Sequence, residues 1–276
     1  MVASGSLARG LAILERLVGE THGMPLAQIA EDLDLVKSAA HRVLASLIDA
    51  GYVHQLPDTG RYALSLRLSR LGLRHLSGAT MYELALPMLT RVAEESGQLV
   101  RLGLVDGNNL IWVAKAQGAR TGLRYDPDPD QGSEVPLALT ASGLAWLSRL
   151  PEDTAMRFIA TEETDQRRPL GHNAPKNLLE AMERVRAARD RGWAIVRDSA
   201  EEGISAIAAP LIDSSDFPIG VVSIAGPTTQ LTDNRIEEIV PYLLSLAREL
   251  ADLALTFQHT HTPTYDEPDS AGSEGQ

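Results

Sequence analysis

The chain has 276 residues, 44% of them hydrophobic, and a formal net charge of −12, enough for two domains with real cores. It contains no cysteine, which excludes disulfides, thiolate metal sites and cysteine nucleophiles. No apolar run approaches the ~18 residues of a membrane span and no basic-then-apolar leader opens the chain, so a soluble, cytoplasmic protein is expected.

Residues 1–78 carry +1 and the remainder −13. That balance excludes broad coating of nucleic acid and repels the bulk of the chain from phosphate. Any DNA affinity must come from a few placed contacts plus dimerisation.

Ser6 reads as the cap of a first helix over residues 7–19, with Leu7, Leu11, Leu14 and Val18 as its stripe. After a loop at 20–25, residues 26–51 (LAQIAEDLDLVKSAAHRVLASLIDAG) form two short helices joined by a tight turn. Leu26, Ile29, Ala30 and Leu33 make the stripe of the first. Ala40, Val43, Leu44, Leu47 and Ile48 form the inner face of the second, with Gly51 at its end. Lys37, Ser38, His41, Arg42 and Ala45 project together from the front of that second helix, and none is needed for packing. Small polar and basic side chains on the first two turns suit entry into a DNA major groove. The bland alternative is the solvated side of any helical hairpin.

Next come a strand-like run at 52–56, a turn at 57–60 and a second run at 61–64. A hairpin directly after a helix-turn-helix makes a winged motif, with Arg61 placed to touch phosphate or the minor groove. Two helices follow over 65–97, with a break near Ser77-Gly78 and Pro87 set to kink the second or mark its start. Leu68, Leu71 and Leu76 form a longer apolar strip than a connector needs.

From Leu99 the period becomes two. Residues 99–105 and 110–116 make a hairpin around Asp106-Gly107-Asn108-Asn109. Residues 121–125 are a third strand candidate, and 126–133 a loop. A helix follows Thr140, another spans 151–160, and an amphipathic helix over 176–191 ends at Gly192. Strands are expected over 193–197, 204–212 and 219–225, then a long helix capped by Thr232. A disordered tail follows from residue 258. Helices flanking an antiparallel sheet define an α+β sensor domain.

SLARGLAILERL (6–17), LVKSAAHRVLASLIDAGYV (35–53) and DTGRYALSLRLSRLG (58–72) resemble the N-terminal domain of the isocitrate-lyase-regulator (IclR) family of bacterial transcription factors. DSAEEGISAIAAPLID (198–213) and VVSIAGPTTQLTD (221–233) resemble its effector domain, whose fold is GAF-like. The resemblance implies a winged helix-turn-helix domain over 1–75, linker and dimer-forming helices over 76–97 and a sensor domain over 98–257. It also implies a repressor, dimeric or tetrameric, that binds double-stranded operator DNA and answers to a small metabolite. DNA contacts would fall on Lys37, Ser38, Ala39, His41, Arg42 and Arg61, with Ser38 and Arg42 on phosphate and His41 on a base. Ala39 is often threonine in the family, which leaves a methyl group here.

By the same resemblance, effector contacts fall on Ala141, Ser142, Val196, Ala206, Ser223 and Ala225. Members that bind very small oxo acids carry aspartate, cysteine and serine at the positions of Val196, Ala206 and Ala225. Their loss here points to a larger, less polar ligand, carboxylated or aromatic. Arg101, Lys115 and Arg124 lie on segments that border the site, and Trp112 offers an aromatic wall. Alternation sets Arg101 opposite Leu102 and Leu104; pairing of the three cations with acids at 126–130 is the alternative.

No catalytic motif, metal-ligand spacing or cofactor fingerprint stands out, so neither enzyme nor cofactor is expected. The competing class is a winged-helix protein-interaction module without specific DNA binding.

Overall fold

The computed structural model describes residues 5–77, 81–127, 131–162 and 169–257. The chain divides into two compact units, Met1–Ala79 and Thr80–Gln276. The expected tail lies outside the described residues, as does the break at Gly78.

In the first unit, α1 (Ser6–Leu17), α2 (Leu26–Asp32) and α3 (Lys37–Asp49) precede the hairpin of β1 (Val53–Gln55) and β2 (Tyr62–Leu64) and then α4 (Leu66–Ser77). Ile13, Leu14, Leu17, Met24, Ile29, Leu44, Val53 and Tyr62 form its core. The α2–α3 turn closes with Leu35 N–H donating to Ala30 O (2.8 Å) while Asp34 takes a positive φ of 50°.

Of the stripe expected on α1, only Leu14 is buried. Gly10, Ile13, Leu14 and Leu17 are buried, whereas Leu7, Leu11 and Val18 are 78%, 51% and 62% exposed. Both sets have helical spacing, with Leu14 common to the two, and Gly10 in the buried set faces Val43 and Leu47 of α3. Ser6 does not cap α1; Gly5 holds that position without a side-chain hydrogen bond.

In the second unit, α5 (Met81–Ser96), β3 (Leu99–Asp106) and β4 (Asn109–Gln117) precede α6 (Ala141–Leu147), α7 (Glu152–Thr161) and α8 (Leu178–Arg191). β5 (Ala194–Arg197), β6 (Ile204–Ile212), β7 (Pro218–Pro227) and α9 (Asp233–Phe257) complete it. The sheet runs β4-β3-β7-β6-β5 with every neighbouring pair antiparallel. One face buries Val100, Leu102, Ile207, Val222 and Ile224 against Leu89 of α5 and Leu243, Leu246 and Leu250 of α9. The other face, with Val196, Ala206, Ala208, Val221 and Ala225, is covered by Leu144, Ala145 and Trp146 of α6. α5 thus supplies core to the sheet, and it continues through Pro87.

Residues 121–125 are not a strand. The outer edge of β4 is taken elsewhere: Trp112 N–H donates to Ser133 O (3.1 Å), Gly132 N–H to Trp112 O (2.7 Å) and Val135 N–H to Leu110 O (2.8 Å). With that edge occupied, Leu123 is left 64% exposed.

Candidate nucleic-acid interface and ligand site

On α3, Ala40 and Leu44 are fully buried while Lys37, Ser38, His41, Arg42 and Ala45 are exposed and Ala39 is half-buried. The helix therefore keeps one apolar side for its unit and offers the opposite side of its first two turns to solvent. Val36 precedes it with no side-chain acceptor, so the first N–H groups keep their affinity for an anion. Arg61, at the edge of the wing, is exposed, and its Nη1 donates to Gly23 O at 3.3 Å. Gly23 itself must be glycine: at φ +65°, a Cβ would lie 2.8 Å from Tyr62 O.

In the second unit, two cross-sheet rows face α6. One runs Val196, Ala206, Ala225, Leu99; the next runs Ala208, Ser223, Arg101, Lys115. Arg101 is only 8% exposed, with its guanidinium carbon 4.1 Å from the centroid of the Trp112 ring and 5.8 Å from that of Tyr125. Ser142 and Ser223 are buried at 2% and 1% exposure. Among the described residues, the Ser223 hydroxyl and the Trp146 indole N–H have no hydrogen-bond partner, a cost of about 1–3 kcal/mol each while they stay so.

Trp112 reaches this face through a β-bulge. Leu102 pairs with Ala114 but Gly103 pairs with Trp112, leaving Val113 as an extra residue. Ala114 and Ala116 pack on the α5 and α9 side. Plain alternation would send Trp112 there too; the bulge turns the indole to the side of Arg101. Arg124 is not gathered in. It is half-exposed and pairs with Asp126 at 3.1 Å, and Lys115 sits 3.7 Å from the same carboxylate. Tyr125 was missed by sequence reasoning, because it lies in irregular chain where no period marks it.

The entry to α6 is held from two sides. Thr140 Oγ1 accepts from Gly143 N–H (3.0 Å). The Glu162 carboxylate accepts from Leu137 N–H (2.6 Å) and Ala138 N–H (3.1 Å). Burial pushes the Glu162 carboxyl above the usual glutamate range despite those two bonds. The folded state therefore prefers its protonated form, and that contribution fades as pH rises through the raised value. Glu162→Gln should flatten this limb of the stability–pH curve, and Glu162→Ala should cost about 1–3 kcal/mol by orphaning the two amides. Urea unfolding across a pH series would measure both.

Among the described residues there is no cluster of three His, Cys, Asp or Glu able to hold a metal, and no helix is long and apolar enough to cross a membrane.

A winged helix-turn-helix with an exposed polar reading face, followed by an α+β unit with a partly polar buried sheet face, defines a DNA-binding regulator of the ligand-sensing type. The chain matches the IclR helix-turn-helix domain over residues 6–57 and the C-terminal domain of the bacterial transcriptional regulator IclR over residues 73–252. It belongs to the IclR family of transcriptional regulators, which are not enzymes. It is 30% identical to the glycerol operon regulatory protein of Streptomyces coelicolor, over 89% of this chain and 93% of that one. It is 25% identical to the transcriptional repressor IclR of Escherichia coli K12, over 89% and 88%. An IclR homolog from Microbacterium hydrocarbonoxydans, solved with 4-hydroxybenzoate, shares the fold with a TM-score of 0.75 at 20% identity, over 91% of this chain and all of that one.

Proposed function

We propose that the chain is an operator-specific repressor released or tightened by a small carboxylate with an apolar or aromatic body, held between the sheet and α6. The buried Ser223 hydroxyl carries this reading. It lacks a partner among the described residues, it neighbours Arg101 across the β3–β7 pair, and buried polar groups are otherwise almost always satisfied. A ligand carboxylate at Arg101 would take the hydroxyl's hydrogen bond and lie beside Trp112. The small apolar side chains of Ala206, Ala208 and Ala225 lie on the same sheet face, and the complex of the Microbacterium homolog with 4-hydroxybenzoate is consistent with an apolar or aromatic body. Ala141 and Ser142, at the first turn of α6, complete the lining, with Val196 at its far end.

On the DNA side, Lys37, Ser38, His41 and Arg42 read or clamp the operator, with Ala39 able to meet a thymine methyl and Arg61 in a secondary role. Leu68 of α4, 38% exposed, favours pairing of two copies. The ligand then needs only a higher affinity for one arrangement of the paired chains to change operator affinity.

Two measurements test the reading. Thermal-shift screening with benzoates and short aliphatic carboxylates should yield a specific stabiliser, and gel shift with and without it should show changed operator affinity. Arg42→Ala should lower the slope of log K against log salt by about 0.9 if Arg42 holds a phosphate. An unchanged affinity and slope would remove Arg42 from the interface. Loss of all promoter preference at low ionic strength would return the protein-interaction alternative.

A further inference from the structure

Residues 59–82 contain four arginines and no aspartate or glutamate, in a chain that holds 37 acidic residues. Three of the four, Arg67, Arg70 and Arg74, follow one another at helical spacing along a single face of α4. With Gly51, Ser65 and Leu71 they line a groove of about 500 Å³. We propose that this groove is a second DNA-contacting surface, which takes backbone phosphates beyond the base pairs met by α3.

The three arginines of the groove are exposed, and one of them is held in place. The Arg67 guanidinium carbon lies 5.1 Å from the centroid of the Tyr52 ring, a stack that fixes the side chain while its N–H edges stay available. Gly51, at φ +77°, makes room for it: a Cβ there would lie 3.2 Å from Arg67 Nη1. Ser65 Oγ donates to Gly51 O and accepts from Arg67 N–H, which ties the start of α4 to the end of α3. Among the described residues neither Arg67 nor Arg70 has a carboxylate partner.

Position supports a nucleic-acid occupant. The groove sits at the C-terminal end of α3, about 20 Å along the axis from Lys37 at 1.5 Å per residue. The major groove is only about 12 Å wide, so a helix entering by its first two turns carries its far end over the bordering backbone. Arg67 and Arg74 are about 10 Å apart along α4, close to three base steps of about 3.4 Å on one strand. Guanidinium forks match phosphate oxygens in pairs.

This proposal rests on the DNA-binding reading, and one experiment separates the two. The full chain is titrated with salt on a duplex from the region upstream of its own coding sequence and on a scrambled duplex of equal length. The double variant R67Q/R70Q should lower the slope of log K against log salt by about 1.8, so that it loses about tenfold less affinity than the parent between 50 and 200 mM salt. Its preference between the two duplexes should not change, because phosphate contacts carry no sequence information. R67K/R70K should keep the parent slope. An unchanged slope in R67Q/R70Q, alongside a lowered slope in Arg42→Ala, overturns the groove and leaves the α3 interface standing. Stabilisation of the parent but not of R67Q/R70Q by inorganic pyrophosphate, with slopes equal, also overturns it, in favour of a free-phosphate site. Failure of the parent to bind either duplex at low salt removes both.

Discussion

Gly143→Ala is expected to unfold or severely loosen the second unit while leaving the first intact. The added Cβ would lie 2.2 Å from Leu137 O and 2.3 Å from Leu137 Cα. Neither atom is the end of a flexible side chain, so α6 would have to shift bodily. Every residue of α6 is buried, and the displacement would spread to Leu144, Trp146 and the sheet beneath. Overpacking of cores usually costs about 1–3 kcal/mol; a clash with backbone on a fully enclosed helix belongs at or above the top of that range. The chain's three tryptophans, Trp112, Trp146 and Trp193, all lie in the second unit. Urea unfolding followed by tryptophan fluorescence therefore reads that unit alone. A midpoint within error of the parent would mean that the approach of α6 to residue 137 is not tight in solution.

Arg101→Met should abolish stabilisation by whichever carboxylate the parent binds. Methionine keeps the unbranched stem over Trp112 and removes the charge that faces Ser223. Losing one member of a buried, hydrogen-bonded charge pair typically costs about 2–5 kcal/mol, a fall in affinity of about thirtyfold to several thousandfold. Calorimetric titration with the best stabiliser from the benzoate series would measure it. Ser223→Ala should cost less, since it removes one neutral donor. If Arg101→Met bound the ligand as tightly as the parent, the buried sheet face would not be the carboxylate site.

How far these features could be read in advance depended on what kind of signal encoded each. The α3 front was legible because Ala40 and Leu44 fix the phase and leave Lys37, Ser38, His41 and Arg42 no other direction to point. Thr232 as the cap of the last helix and Gly192 as the end of α8 followed from local chemistry alone. The phase of α1 was not legible, since both stripes have helical spacing and Gly10, which lies in the buried one, adds nothing to a hydrophobic signal. Residues 121–125 have strand-like composition, but a third strand needs an open edge, and residues 132–135 occupy the edge of β4. Such competition between distant segments has no local trace.

The candidate ligand site divides along the same line. Alternation sets Arg101 opposite Leu102, and the structure has it so. The partnership of Arg101 with Trp112 could not be foreseen, because it hangs on one unmatched residue at Val113. Nor could the exposure of Arg124, which depends on where Asp126 falls. Two of the three cations do pair with that acid, and only Arg101 is carried inside.

The unmatched Val113 has a wider consequence. It uncouples the two ends of β4, so that a change of ring at position 112 is felt on one side of the sheet and the alanines at 114 and 116 on the other. Chemical selectivity can then drift at one end of a strand without any repair being demanded of the scaffold that the same strand helps to build.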